Sequence, residues 1–217
     1  MRCINDVNKT CEKINTAGTS KKIACIIMAS GLGRRFGGNK LLAELHGQPL
    51  LQYVLNAVKG SGCLTACVTV TRHAEIATLC AAQKLPCLLH SQPRQSDTVR
   101  LGLEYLEQHY DAGFFDGFLF CAADQPLLSA STISRLCAAF NSRPRCIHRA
   151  ACYDKPGNPV LFPVSLAAEL KSLTDDSGGS AVIKKHPGLV RLVQVQDAKE
   201  LQDIDYYEDL LNLEQQL

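Results

Sequence analysis

The chain has 217 residues, 46% of them hydrophobic and 20% charged, with 23 Lys and Arg set against 21 Asp and Glu. These proportions are those of a globular chain and exclude collagen-like, fibrous and wholly disordered classes. A formal charge of +2 is too small to build the basic face that duplex nucleic acid requires, so no nucleic-acid partner is expected.

Eleven cysteines are too many to ignore, yet their number is odd and no C-x-x-C or Cys/His block occurs, so neither a disulfide framework nor a zinc finger is expected. Cys25, Cys67, Cys121 and Cys146 lie in apolar runs, where a free thiol packs as a small hydrophobe. Residues 1–22 are polar with no apolar core segment and read as a disordered tail ahead of a single domain spanning 23–217. No run approaches the ~20 apolar residues of a membrane span. A cytoplasmic protein with no membrane partner is therefore expected, in a compartment where unpaired thiols persist.

Beyond the tail, residues 23–28, 66–70, 117–122 and 145–151 are near-continuous apolar runs of strand length. Helical patterns fall between them. Residues 49–59 place Leu50, Leu51, Val54, Leu55 and Val58 on one face, with Pro49 in the first turn. Residues 96–109 do the same with Val99, Leu103 and Leu106, and residues 129–140 with Ile133, Leu136 and Cys137. Lys155 to Pro159 is turn chemistry, followed by short strands at 160–162 and 189–195 and a final helix from about Tyr206. Alternating strand and helix predicts an α/β fold, a mostly parallel sheet with helices on both faces. Ligands bind such sheets beyond the carboxyl ends of the strands, where the strand order reverses.

The segment after the first strand, Ser30-Gly31-Leu32-Gly33-Arg34-Arg35-Phe36-Gly37-Gly38-Asn39-Lys40, combines four glycines with three cations. Glycines let backbone N–H groups approach a ligand, and the cations add charge suited to phosphate. No G-K-[ST] closes the loop, so it is not a Walker loop, and a mobile basic surface loop is the alternative. Asp124 follows the apolar run 117–122 and precedes Gln125-Pro126, a place from which a carboxylate holds a hard cation or simply caps a turn. Ser96 is a candidate N-cap for its helix, and Gly178 and Gly179 precede a helix that begins at Ser180.

Taken in order, Met28-Ala29-Ser30-Gly31 through Lys40-Leu41-Leu42 and Gly47-Gln48-Pro49-Leu50-Leu51 resemble the opening signature of nucleotidyltransferases similar to the molybdenum cofactor guanylyl- and cytidylyltransferases, the MobA-like group. Gln95 to Leu103, Asp124-Gln125-Pro126, Gly157-Asn158-Pro159 and Asp203-Ile204-Asp205 resemble that family's later segments. Ser30, Gly33, Arg94, Asp175, Tyr206 and Tyr207 depart from its pattern.

The resemblance implies a three-layer Rossmann-like nucleotidyltransferase fold and a Mg2+-dependent enzyme that transfers CMP from CTP to molybdopterin-bound molybdenum cofactor. GTP or another phosphorylated acceptor, such as a sugar or polyol phosphate, is the alternative. So is a non-catalytic protein that delivers cofactor to a molybdenum hydroxylase or its chaperone. It implies catalytic roles for Arg35, Lys40 and Asp124, and nucleotide contacts from Ala29, Ser30, Gly31, Gly33, Arg35, Lys40, Ser96, Thr98 and Arg100. Metal would be held by Asp124 and Asp205, although Asp205 could instead cap the last helix, and the acceptor by Asn158, Asp176 and Gly178. No histidine receives a role.

Overall fold

The structure, a computed structural model, describes residues 20–174 and 178–216. Most of the expected tail, and Asp175 and Asp176, lie outside the described residues. The elements in chain order are β1 (Ile23–Ala29), β2 (Glu44–Leu45), β3 (Gln48–Pro49), α1 (Leu50–Gly60), β4 (Ala66–Thr71), α2 (Ala74–Ala82), β5 (Cys87–Leu89), α3 (Gln95–His109), β6 (Gly117–Ala122), α4 (Ala130–Ser142), β7 (Ile147–Cys152), β8 (Lys155–Pro163), α5 (Ala167–Lys171), α6 (Ser180–Lys185), β9 (Val190–Gln194) and α7 (Tyr207–Glu214).

The main sheet has seven strands in the order β5-β4-β1-β6-β8-β7-β9. All pairings among β5, β4, β1 and β6 are parallel, as is β7 with β9, and β8 alone runs against its neighbours. Successive side chains of a strand point to opposite faces. Ile23, Cys25 and Ile27 accordingly join one apolar layer with α1, α2 and α4, while Ala24 and Ile26 join the other with α3, α5 and α6. Both faces are dry, which is why β1 reads as an unbroken apolar run. The chain winds outward from β1 to β5 and then returns through α3 to β6 on the other side of β1. This reversal opens a crevice at the carboxyl ends of β1 and β6.

Several expectations need correction. Residues 155–159 are not a loop: β8 begins at Lys155, and Tyr153, with a left-handed φ of 54°, turns the chain two residues earlier. Their turn-forming composition is accommodated beside an irregularity in β7 between Arg149 and Ala151. Ser96 is not an N-cap but the second residue of α3, which begins after Arg94, and its first turn is fastened by Arg94 N–H donating to Asp97 Oδ2 at 3.2 Å. Pro49 pairs in β3 and precedes α1 rather than opening it. Cys146 falls in the turn before β7 and is half-buried, whereas Cys25 and Cys121 are fully buried with their sulfurs 3.7 Å apart. The nine described cysteines are all free thiols. No helix among the described residues is long and apolar enough to cross a membrane.

Candidate active site

The crevice forms a cleft of about 580 Å³ whose wall begins with the glycine loop. Gly33 and Gly37 have φ of 57° and 83°, and the N–H groups of Phe36 and Gly37 donate to Gly33 O at 3.0 and 3.2 Å, which closes a tight turn. A Cβ on Gly33 would overlap the Gly38 carbonyl oxygen, so glycine is required there on two counts. The chain just upstream is held from β4. Arg72 donates from Nε and Nη2 to Ser30 O at 2.9 and 2.7 Å, and His73 Nε2 donates to Gly31 O at 2.9 Å. A trans peptide sets each N–H opposite the preceding carbonyl. Tethering the carbonyls of Ser30 and Gly31 therefore turns the N–H groups of Gly31 and Leu32 away from Arg72 and His73. Arg72 also donates from Nη1 to Pro93 O at 3.1 Å, so one guanidinium couples the glycine loop to the approach to α3.

Lys40 lies at the end of the loop in a single turn of 3-10 helix and is 8% exposed. Its Nζ donates to Asp124 Oδ2 at 2.6 Å and to Asp205 Oδ1 at 3.0 Å. These carboxylates come from distant parts of the chain and are brought together by the Ile204 N–H, which donates to Asp124 O at 3.0 Å. Ile204 is itself anchored in a small apolar cluster with Leu45, Leu50, Leu210 and Leu213. Burial alone would lower the Lys40 pKa, but Asp124 and then Asp205 outweigh it and raise it, so the ammonium stays charged. Asp203 also lines the cleft, and burial, followed by the charge of Asp124, pushes its carboxyl up to about 6.

The capping alternative for Asp205 is decided by its neighbours. Asp209 Oδ2 accepts the N–H groups of Asp205 and Tyr206 at 3.0 and 2.8 Å, which leaves the Asp205 carboxylate facing Lys40 and, at 3.6 Å, Arg35. Tyr206 and Tyr207, the departures from the family pattern, reach the glycine loop: Arg35 lies over the Tyr206 ring at 5.9 Å and Phe36 meets Tyr207 edge-on at 5.7 Å.

At the start of the loop, Ser30 Oγ donates to Val70 O at 3.1 Å and so must accept from His90 Nε2 at 2.9 Å. His90 Nδ1 in turn accepts the Gln92 N–H at 3.2 Å, which assigns the proton to Nε2. Burial, with the nearby Arg72, lowers the pKa of this imidazole and keeps it neutral. Thr98, 1% exposed, lines the cleft, and its hydroxyl has no partner among the described residues.

Of the expected residues, Ser30, Gly31, Gly33, Arg35, Lys40, Thr98, Asp124, Asn158 and Asp205 line this one cleft. Ala29 and Ser96 are buried beside it without lining it. Arg100 does not line it: it pairs along its own helix with Asp97 at 3.2 Å and Glu104 at 3.0 Å, because i,i+3 and i,i+4 positions share a helix face. Gly178 lines an adjoining cavity, which Asn158 also borders. Sequence reasoning missed Arg72, His73, His90 and Asp203. The first three bind backbone or a single hydroxyl from the ends of β4 and β5, and no spacing marks such contacts. Asp203 was legible only as part of the Asp-Ile-Asp run.

The donor set fits a hard divalent cation that keeps most of its coordination for substrate and water. Asp124 and Asp205 offer carboxylate oxygens around one cationic group, and among the described residues no cluster of three or more His, Cys, Asp or Glu forms an all-protein cage. One or two carboxylates completed by substrate phosphates is how Mg2+ is commonly held.

Comparison with known proteins bears on the fold and the family. The Bifunctional enzyme IspD/IspF of Rhodospirillum rubrum is 33% identical over 140 residues, 61% of this chain and 35% of that protein, so the chain spans about a third of that relative's length. Among solved structures, Rv0371c from Mycobacterium tuberculosis H37Rv superposes with a TM-score of 0.77 at 19% identity, covering 91% of this chain and 100% of that one. It has also been solved in complex with manganese. The 4-diphosphocytidyl-2C-methyl-D-erythritol synthase of Anaerococcus prevotii gives 0.71 at 16% identity over 91% and 96% of the two chains. A CMP:2-keto-3-deoxy-manno-octonic acid synthetase solved with CTP gives 0.69 at 11% identity over 91% and 100%. At these identities the superpositions establish the fold, a Rossmann-like nucleotidyltransferase architecture. The family description MobA-like NTP transferase domain matches residues 25–190, most of the chain, and with the glycine loop, Lys40 and Asp124 in one cleft the protein belongs to the MobA-like NTP transferase family.

Proposed function

We propose that the protein is a nucleotidyltransferase that moves a cytidylyl group from CTP onto the phosphate of a small sugar or polyol. The observation that carries this reading is the Lys40 ammonium held by Asp124 and Asp205 at the mouth of the glycine loop, at the switch point of the sheet. An oxygen of the acceptor phosphate attacks the α-phosphorus, the bond from that phosphorus to the bridging oxygen breaks, and pyrophosphate leaves with the electron pair. The nucleophile is already ionised, so no general base is needed, and the work is positioning and charge neutralisation.

The loop at Ser30, Gly31 and Gly33 supplies backbone donors to the triphosphate, and Arg35 and Lys40 neutralise its charge. Ser30, fixed by His90, and Thr98 face the nucleoside side of the cleft. Asp124 and Asp205 would hold Mg2+, or Mn2+ in its place, and the ion would stabilise charge on the phosphates. Asn158, at the junction with the adjoining cavity, and Gly178 within that cavity belong to the acceptor side.

CTP is favoured over GTP by the names of the relatives, which speak of a diphosphocytidyl polyol and a CMP-linked sugar acid. They favour such acceptors over the molybdopterin acceptor that the sequence resemblance implied, and lend no support to a molybdenum hydroxylase or chaperone as partner. Pyrophosphate release is to be measured with each of the four ribonucleoside triphosphates, with Mg2+ or Mn2+, against sugar phosphates, polyol phosphates, sugar acids and molybdopterin. Release with CTP and one acceptor class, abolished by Asp124→Ala with the fold intact, is the expected result. Silence under every condition would leave a binding protein of the same fold, and release only with molybdopterin would restore the first acceptor.

A further inference from the structure

Beside the nucleotide cleft lies a second cavity of about 280 Å³, joined to it at Met28, Gln95, Ala122 and Asn158. Its walls are apolar where β6 and β8 face α3 and α6, formed chiefly by Val99, Phe120, Val160, Phe162, Leu170 and Ile183. Arg149 interrupts them. This residue stands on β7 opposite Val160 of β8, and its Nε donates to Gly157 O at 2.9 Å, next to Asn158 at the junction of the two spaces. Among the described residues no carboxylate pairs with the guanidinium, and burial pushes its pKa below the usual arginine range. Arg149 lines the cavity together with Gln95, Asn158 and Ser180, and a half-buried cation with no carboxylate partner there is well suited to a planar or tetrahedral oxyanion.

We propose that this cavity seats the acceptor, with Arg149 holding an oxyanion of it and the apolar walls receiving a compact hydrocarbon face. Its role as acceptor seat rests on the nucleotidyl-transfer reading; the oxyanion seat itself does not. The volume equals about nine liquid waters, which suits a short carbon chain or one small ring rather than a fused polycycle. Hydroxyl groups directed at Val160, Phe162 or Ile183 would forfeit their hydrogen bonds, so the hydroxyls of the acceptor face the polar part of the lining, at Gln95, Asn158 and Ser180. Specificity among small phosphorylated acceptors is therefore set by Arg149 and by the carbon substitution pattern that the walls accept.

The test uses butyl phosphate, pentanoate and 1-butanol as probes, titrated by saturation-transfer NMR into the full chain in the presence of α,β-methylene-CTP and Mg2+. At least one anion is expected to bind more tightly than 1-butanol, and the tighter of the two identifies phosphate or carboxylate as the group recognised. Arg149→Met keeps the aliphatic stem and removes the charge, and it should weaken that anion on the order of tenfold while leaving the affinity for the CTP analogue unchanged. Ile183→Asp, on the half-exposed wall, places a like charge in the cavity and should weaken the same probe. Anions that bind no better than 1-butanol overturn the proposal, as does an anion affinity unaltered by Arg149→Met or, should that variant not fold, by Ile183→Asp. Failure of the CTP analogue to bind the wild type counts against the transfer reading alone, because the anion titration is then read without it.

Discussion

Replacing Gly33 by alanine isolates the contribution of one backbone conformation to the glycine loop and to the CTP binding proposed for it. Its φ of 57° lies in the left-handed region, which costs an L-residue about 1–2 kcal/mol. The added Cβ would also overlap the Gly38 carbonyl oxygen, so the turn closed by Phe36 and Gly37 on Gly33 O must open. The loop lies outside the three apolar clusters apart from Phe36 at one margin, so the strain is relieved locally instead of unfolding the sheet. A cost of one to two kcal/mol then emerges as a roughly 5- to 30-fold loss of CTP affinity, with a shift in Tm of only a few degrees. Gly38→Ala is the control: its φ is not left-handed and nothing stands within 4 Å of an added Cβ, so it should bind CTP as the wild type does. Calorimetric titration of CTP with Mg2+ into the three proteins decides the matter. Wild-type affinity in Gly33→Ala, with an unchanged Tm, would refute the claim that this turn shapes the nucleotide site.

Three further outcomes are expected. Arg72→Lys retains a charge but cannot grip Ser30 O through two donors while also reaching Pro93 O, so the KM for CTP should rise roughly tenfold with a smaller change in kcat; an unmoved KM sinks the tethering role. Glu200 is 5% exposed, and although burial alone would raise its pKa, donors led by the Ser129 hydroxyl, with the backbone of Ser129 and Asp197, lower it overall. Its folded pKa lies below the unfolded one, so the stability it adds is present at neutral pH and lost as pH falls below the ordinary glutamate range. Glu200→Gln should therefore lower Tm at pH 7 by several degrees, for a loss of about 1–3 kcal/mol, and by progressively less in acid; a pH-independent difference contradicts this. Gly117→Ala would place a Cβ 2.6 Å from Phe140 Cζ and 2.9 Å from Phe162 O, an overpacking cost of about 1–3 kcal/mol that thermal unfolding should detect while CTP affinity stays unchanged.

The extent to which this site was legible in the sequence follows from the range of the interactions that make it. The glycine loop is local: its residues are contiguous, and glycine spacing with flanking cations states its chemistry before any fold is known. Asp124 was legible for a similar reason, as an acid directly after an apolar strand. Arg100 shows the limit of such reading: a matching position in a motif does not state which face of the helix it occupies, and in the structure its partners are Asp97 and Glu104 on its own helix. The turn residues of 155–159 were misread because Tyr153 and Asp154 make the hairpin turn and leave the prolines in an irregular strand.

Strand periodicity, helical faces and the order of the motifs are encoded by near neighbours in the chain, so the sequence by itself determined the α/β class, the glycine loop and the family resemblance. Long-range juxtaposition is different, because it depends on where packing carries each strand end. Only the tertiary structure decided that Lys40 sits between Asp124 and Asp205, that Arg72, His73 and His90 hold the loop from outside any motif, and that Arg149 lines a cavity next to Asn158. These groups come from separate segments and meet because both faces of the sheet must be buried and its strand order reverses between β1 and β6.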